Sequence, residues 1–335
     1  MNIWVDANGW PIPPTVLLGC LVAEILYFRG WRLLVKAEQA KESSTINRAP
    51  IHPADARGLI RAPQATLRVP TRAMTLSAFT GSAAGEYQWN SWFWRGTFFL
   101  GAVIALLLAS SAPIDNLSSR LFWVHMIQHL LLLVVIAPLL VAGAPLLPLW
   151  LGLPRWARRL VKRLKAGRAF YRVGQWLRQP AISCALLIIG MWAWHWPALY
   201  DLALTNSVIH DWCEHATFLA VSFLFWTQVI PSPPLHPRLG YPGRIGCVGI
   251  AIVQNLVLAV LIGFAQTPLY APYAHLAQGP GGLSALLDQQ LGAGIMWTFG
   301  DLPFAIAFSV LVHRWLASQS DDAGVVIQSQ PNAGR

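Results

Sequence analysis

The chain has 335 residues, of which 55% are hydrophobic and only 11% charged, with 17 Trp. A soluble domain carries about 25% charged residues, so the composition excludes a soluble globular enzyme and reads as an all-α, polytopic membrane protein. The net charge of +10 raises nucleic acid as a partner, which the placement of that charge then removes.

In chain order, residues 1–36 read as a short N-terminus and a first span, roughly 14–35, closed by Arg29, Arg32 and Lys36. Residues 37–90 are polar, with several Pro, Ser and Arg, and are expected to form a cytoplasmic loop without fixed structure. A six-helix membrane core over 91–316 follows, with spans near 91–110, 121–140, 181–196, 210–230, 245–264 and 291–315. Each is close to the roughly 20 residues that cross a bilayer. Residues 317–335 form a cytoplasmic tail. Between the third and fourth spans lies a basic segment, 155–178, with nine Lys/Arg and no acid. Its Trp156, Leu160 and Leu164 are four apart among cations, the pattern of an amphipathic helix on an anionic lipid leaflet. Cys20, Cys184, Cys213 and Cys247 lie in or beside apolar runs and form no CxxC, which argues against a disulfide framework or a zinc ribbon. No basic stretch precedes the first apolar run, so the start does not read as a cleaved signal peptide.

Seven spans make the connecting segments alternate sides. Segments 29–95, 155–178, 231–244 and the chain from Arg314 onward hold 23 of the 24 Lys/Arg; the opposite side holds only Arg120. The positive-inside rule then sets the N-terminus outside and the C-terminus in the cytoplasm. The charge is topological, and no nucleic-acid partner is expected.

That orientation sorts the polar residues by depth. In LFWVHMIQHLLLLVVIAPLL, His125 and His129 are i,i+4 and share a helix face in the outer half of the third span. Imidazoles inside a span are costly to bury and mark functional sites. His195 ends the fourth span, with Met191 one turn deeper. His210, Asp211, Glu214 and His215 open the fifth, His275 is in an outer loop, and Asp288 and Met296 belong to the start of the seventh. His52, His236 and His313 fall on the cytoplasmic side. On an α-helix, His210 and His215 stand roughly 140° apart, so both are not expected to face one ion unless the helix begins after His210. The expected metal ligands are therefore His125, His129, His195 and His215. His210 is a looser candidate, and Met191, Met296 and Cys213 are soft ones. Asp211, Glu214 and Asp288 are expected behind them or in a relay. Imidazole with thioether suits copper, especially Cu(I); zinc accepts the histidines too, without an HExxH protease signature. Haem held by two histidines is an alternative. Glu24 and Asp301 are mid-span acids with no Lys in any span to pair them, and are candidates for a proton or cation relay, as in a metal permease.

Three segments carry a family resemblance. SAPIDNLSSRLF with HMIQHLLLLVVIAPLLVAGAP resembles the third-helix signature of the bacterial CtaG family of caa-type cytochrome c oxidase assembly factors. WHWPALYDLALTNSVIHDWCEHATFLAVSFLFW is similar to that family's fourth-to-fifth helix segment, and DQQLGAGIMWTFGDLP to its seventh-helix entry. The resemblance covers about 91–316. It implies a seven-helix, non-enzymatic protein of the bacterial plasma membrane that serves copper delivery to, or insertion into, cytochrome c oxidase subunits. His125, His129, His195, His210 and His215 match family histidine positions, and Asp288 lies in the matching DQQ. The long 37–90 segment departs from the family's short connection.

Overall fold

In a computed structural model, residues 11–46, 91–164, 168–274 and 282–328 are described. Among them helices joined by turns and loops make up the chain, with no strand beyond one isolated bridge between Ser232 and Leu235. Helices begin where local chemistry favours it. Pro180, Pro197 and Pro242 stand in first turns, where the missing N–H costs nothing. The Ser284 hydroxyl accepts from the Leu287 N–H to cap another start.

Among the described residues, four helices are long and apolar enough to cross a membrane: α2 (Trp92–Ala109), α4 (Phe122–Ala142), α11 (Tyr241–Gly263) and the first part of α13 (Ala285–Gln319; the helix continues to 328). A fifth arises if α7 (Arg168–Leu177) and α8 (Pro180–Trp194), which meet at 73°, are one broken span. Their neighbours are α1 (Pro14–Ile46), the short α3 (Ala112–Ser118), α5 (Leu146–Gly152), α6 (Arg155–Leu164), α9 (Pro197–Thr205), α10 (Ile209–Glu214 running on through His215–Val229) and the single turn α12 (Ala271–Ala274).

The central helix is α4. Its apolar window is 67% buried, against 22–33% for the other three long ones. It packs on α2, α10 and α13, while α8 bridges α10 and α11, and α11 lies along α13. The main core runs from Phe122 and Met126 on α4 through Leu187 and Met191 on α8, Phe225 and Trp226 on α10, to Phe304 on α13. Trp226 and Phe304 stack at 5.2 Å and 5°. The lipid-type faces of α11 and α13 (Val253, Leu261, Phe299, Ile306) stay exposed, as a bilayer-facing surface requires.

Among the described residues, three helices contain a π-helical stretch, with i→i+5 hydrogen bonds: Leu131–Ile136 in α4, Ile209–Glu214 in α10 and Met296–Gly300 in α13. Such a stretch widens the turn and frees a carbonyl for other partners. Leu133 O accepts from Ser222 Oγ at 2.6 Å and Trp226 Nε1 at 3.0 Å, which pins α10 to α4.

Two expectations from composition need revision. Helix α1 does not stop near Val35 but runs to Ile46. Residues after Lys36 are polar yet rich in Ala, Glu, Gln and Lys, without Gly or Pro, and such residues favour helix whatever their solubility. The 37–90 segment beyond Ile46 lies outside the described residues. The 155–178 segment forms two helices, α6 and α7, and both leave large apolar side chains exposed among their cations: Trp156 and Leu160 on one, Tyr171, Val173 and Trp176 on the other.

Candidate metal centre

The site is built from α4 outward. Asp288 on α13 accepts the backbone N–H of Phe122 (2.8 Å) and of Trp123 (3.1 Å), capping the start of α4. Gly292, one turn on, has no Cβ to strike the Phe122 ring, so α13 can lie close against that end. The cap fixes the first turn of α4 and with it the histidine pair one turn further.

His125 and His129 are 0% and 2% exposed, and their Nε2 atoms lie 2.8 Å apart. The Tyr273 hydroxyl donates to Ser118 O at 2.6 Å, so its oxygen accepts from His125 Nδ1 at 3.1 Å. That assigns the proton of a neutral His125 to Nδ1 and leaves its Nε2 as a lone pair. The proton between the two rings then belongs to His129, whose Nδ1 has no partner. A fully buried carboxylate, Glu214, completes the group: its Oε1 is 3.3 Å from His129 Nε2 and 4.0 Å from His125 Nε2. Neither Glu214 oxygen has a hydrogen-bond partner.

These three atoms define a small triangle. The point equidistant from them lies about 2.0 Å from each, the usual length of a zinc–nitrogen or zinc–oxygen bond. His210 joins them: ligand atoms of His125, His129, His210 and Glu214 all fall within 4.8 Å of one another. A buried acid beside buried imidazoles with unused lone pairs is expensive unless a cation or proton neutralises it.

Aromatic residues close the site. Tyr200 packs tilted against Tyr270 (4.1 Å) and lies 5.0 Å from the His125 ring; Phe122 stacks on Tyr270 at 5.0 Å. Burial pushes the phenols of Tyr200, Tyr270 and Tyr273 up, so each stays protonated and able to donate. Tyr270 donates to His195 O at 3.1 Å. No reading of the sequence singled out this trio; the YAPY spacing of Tyr270 and Tyr273 is its trace.

His195 donates from Nδ1 to Met191 O at 2.7 Å, leaving its Nε2 buried and without a partner. Its ring is 6.0 Å from that of His129. His215 also carries an unpartnered buried Nε2, with its ring 5.7 Å from His129 and 4.2 Å from His210. His210 and His215 do converge, contrary to the α-helical expectation. The His215 N–H bonds to His210 O, an i→i+5 bond, so the π-helical turn stacks residues five apart.

The remaining candidates lie elsewhere. Met191 and Met296 are buried in the apolar core, and the Met296 carbonyl accepts from Asn255 Nδ2 at 3.0 Å. Cys213 is exposed. Asp211 is exposed at the rim, where its Oδ1 accepts from His210 Nδ1 at 3.0 Å. Asp288 acts as the helix cap. Asp301 accepts from Asn255 Nδ2 at 2.9 Å, so this mid-span acid has a side-chain amide as partner. Glu24 is half-buried on α1, which packs on α2 and α5 and away from the histidines. His275 lies outside the described residues.

Comparison with known proteins places this geometry in a family. The chain is 28% identical over 243 residues to an uncharacterized protein of Mycobacterium bovis and equally to one of Mycobacterium tuberculosis, covering 70% of this chain and 36% of each relative. It is 24% identical over 238 residues to an uncharacterized protein of Mycobacterium leprae, covering 68% and 35%. The alignment thus spans about a third of the relatives' length. No solved structure matches. The family model described as cytochrome c oxidase caa3 assembly factor (Caa3_CtaG) matches residues 76–318, a stretch that holds every histidine of the cluster. With that match over most of its length, the chain belongs to the caa3 cytochrome c oxidase assembly factor family.

Proposed function

We propose that the protein is a non-enzymatic assembly factor of the bacterial plasma membrane that holds a copper ion at His125, His129, His210 and Glu214 and hands it to a cytochrome c oxidase subunit. The observation that carries this reading is the triangle of His125 Nε2, His129 Nε2 and Glu214 Oε1, whose spacing suits a first-row transition metal. His195 and His215 bring further unpartnered nitrogens for exchange. Imidazole suits copper, and the carboxylate adds a hard donor that tilts the set toward Cu(II) or zinc and away from the Cu(I) expected from a histidine set with soft Met alternatives. A haem held between His125 and His129 is disfavoured, because their Nε2 atoms are 2.8 Å apart, short of the span of about 4 Å that two metal–nitrogen bonds of about 2 Å in line require.

The seven-span arrangement belongs to the same proposal. To the four long apolar helices and α8 it adds α1 and α10. The N-terminus is then outside, the cytoplasmic face carries the basic helices α6 and α7 on anionic lipid, and the metal centre opens outward.

The test is metal analysis of purified protein. Wild type is expected to hold close to one copper per chain after loading and desalting, and a His125→Ala/His129→Ala double variant to lose it. Equal copper in both would remove the assignment, and a strong Soret absorption from pure protein would replace it with haem.

A further inference from the structure

We propose that a second copper site, formed by His210, Asp211 and His215, lies at the rim of the buried one and loads it, with His210 shared between the two. This rests on reading the buried cluster as a copper site, and adds to it a separate site and an order of filling. Ligand atoms of His210, Asp211 and His215 lie within 4.8 Å of one another, and those of His210 also fall within the buried group. The Nε2 atoms of His210 and His215 are buried and unpartnered, so the rim set has donors in hand for an ion.

Exposure falls along the row. The Asp211 side chain is 46% exposed and that of His210 10%, while Glu214 is fully buried. Asp115, on α3, stands 4.0 Å from His210 Nδ1 and is 44% exposed, so two carboxylates flank the outward edge of that imidazole. The His210 ring is 4.2 Å from His215 and 5.0 Å from His125, within reach of both sets. An arriving cation is drawn by the carboxylates and sheds its water onto His210, Asp211 and His215. It then exchanges Asp211 and His215 for His125, His129 and Glu214 while His210 remains bound. A ligand common to both positions spares the ion a fully uncoordinated step in a medium of low dielectric.

The full chain in detergent, titrated with Cu(II) alone, tests this. Trp212, exposed beside Asp211, supplies a fluorescence reporter of the rim site, and electron paramagnetic resonance counts the bound Cu(II). Wild type is expected to end with one tight ion, reached through a transient ion at the rim, because the one free lone pair of His210 serves one ion at a time. Asp211→Asn, at an exposed position, is expected to lose the transient rim signal and to fill the tight site about tenfold more slowly, to the same final occupancy. His125→Ala/His129→Ala is expected to hold one weak ion at the rim and no tight one. Filling of the tight site in Asp211→Asn at the wild-type rate overturns the rim site and leaves the buried one standing. No bound copper in wild type overturns both.

Discussion

Asp288 shows how much a single side chain can carry. It was picked out as a relay acid, yet both its oxygens are spent on the Phe122 and Trp123 amides, and those amides set the turn from which His125 hangs. Asp288→Ala is expected to cost about 1–2 kcal/mol as a lost cap, read as a lower thermal midpoint of metal-free protein in detergent. Because α4 then frays toward His125, copper affinity should fall too, although residue 288 touches no ligand. The His125–His129 pair was legible from spacing alone, since i,i+4 residues share a face on any α-helix. Glu214 is legible as a neighbour but not as a ligand partner, because sequence cannot say that a carboxylate from α10 meets histidines from α4 at 3.3 Å. His210 is only a looser candidate on the sequence for a sharper reason: α-helical angles turn it away from His215, and this turn is not α-helical.

At the scale of elements, the long apolar helices could be read from hydropathy to within a few residues, whereas their connections could not. The chain leaves α4 through Gly143 and Ala144, the latter at φ 46°, and enters α5, a short helix in a stretch to which the sequence reading assigns no element. Tyr27 donates to Gly143 O at 2.8 Å and Arg95 to Ala142 O at 3.1 Å, so α1 and α2 both hold this turn. Helices α1 and α5 touch backbone to backbone: a Cβ on Gly30 would land on the Pro148 carbonyl, and one on Gly152 on the Leu26 carbonyl. Backbone cannot yield as a side chain does, so Gly30→Ala and Gly152→Ala should each separate α1 from α5 and destabilise the fold by about 1–3 kcal/mol. Limited proteolysis reads this as faster cleavage within α1 of either variant, with the histidine cluster still able to load metal. Survival of wild-type protease resistance in both would mean that this crossing does not hold α1.

For the whole molecule, charge and chemistry sit at opposite ends of α8: Arg178 precedes its first residue and His195 follows its last. The basic surface of α6 and α7 therefore lies at the end away from the metal centre. The proposed orientation is testable with single cysteines in a variant lacking the native four. A cysteine at position 207 should react with a membrane-impermeant maleimide on intact cells, and one at 162 only after lysis; the reverse pattern inverts the topology. The same arrangement gives the three π-helical turns a common setting, since they lie in α4, α10 and α13, the helices that carry or cap the site. A hydrogen-bonded ring that closes at i+5 instead of i+4 is an ordinary helix with one residue inserted. The α10 turn can thus be read as a length change: with one residue inserted, His210 and His215 keep the common face that i,i+4 residues have on a regular helix, whereas the same residues wound as an α-helix would stand about 140° apart. Deleting one residue between them would give a more regular helix with both histidines still on one face, so what the spare residue adds is an extra position in the turn that carries Glu214.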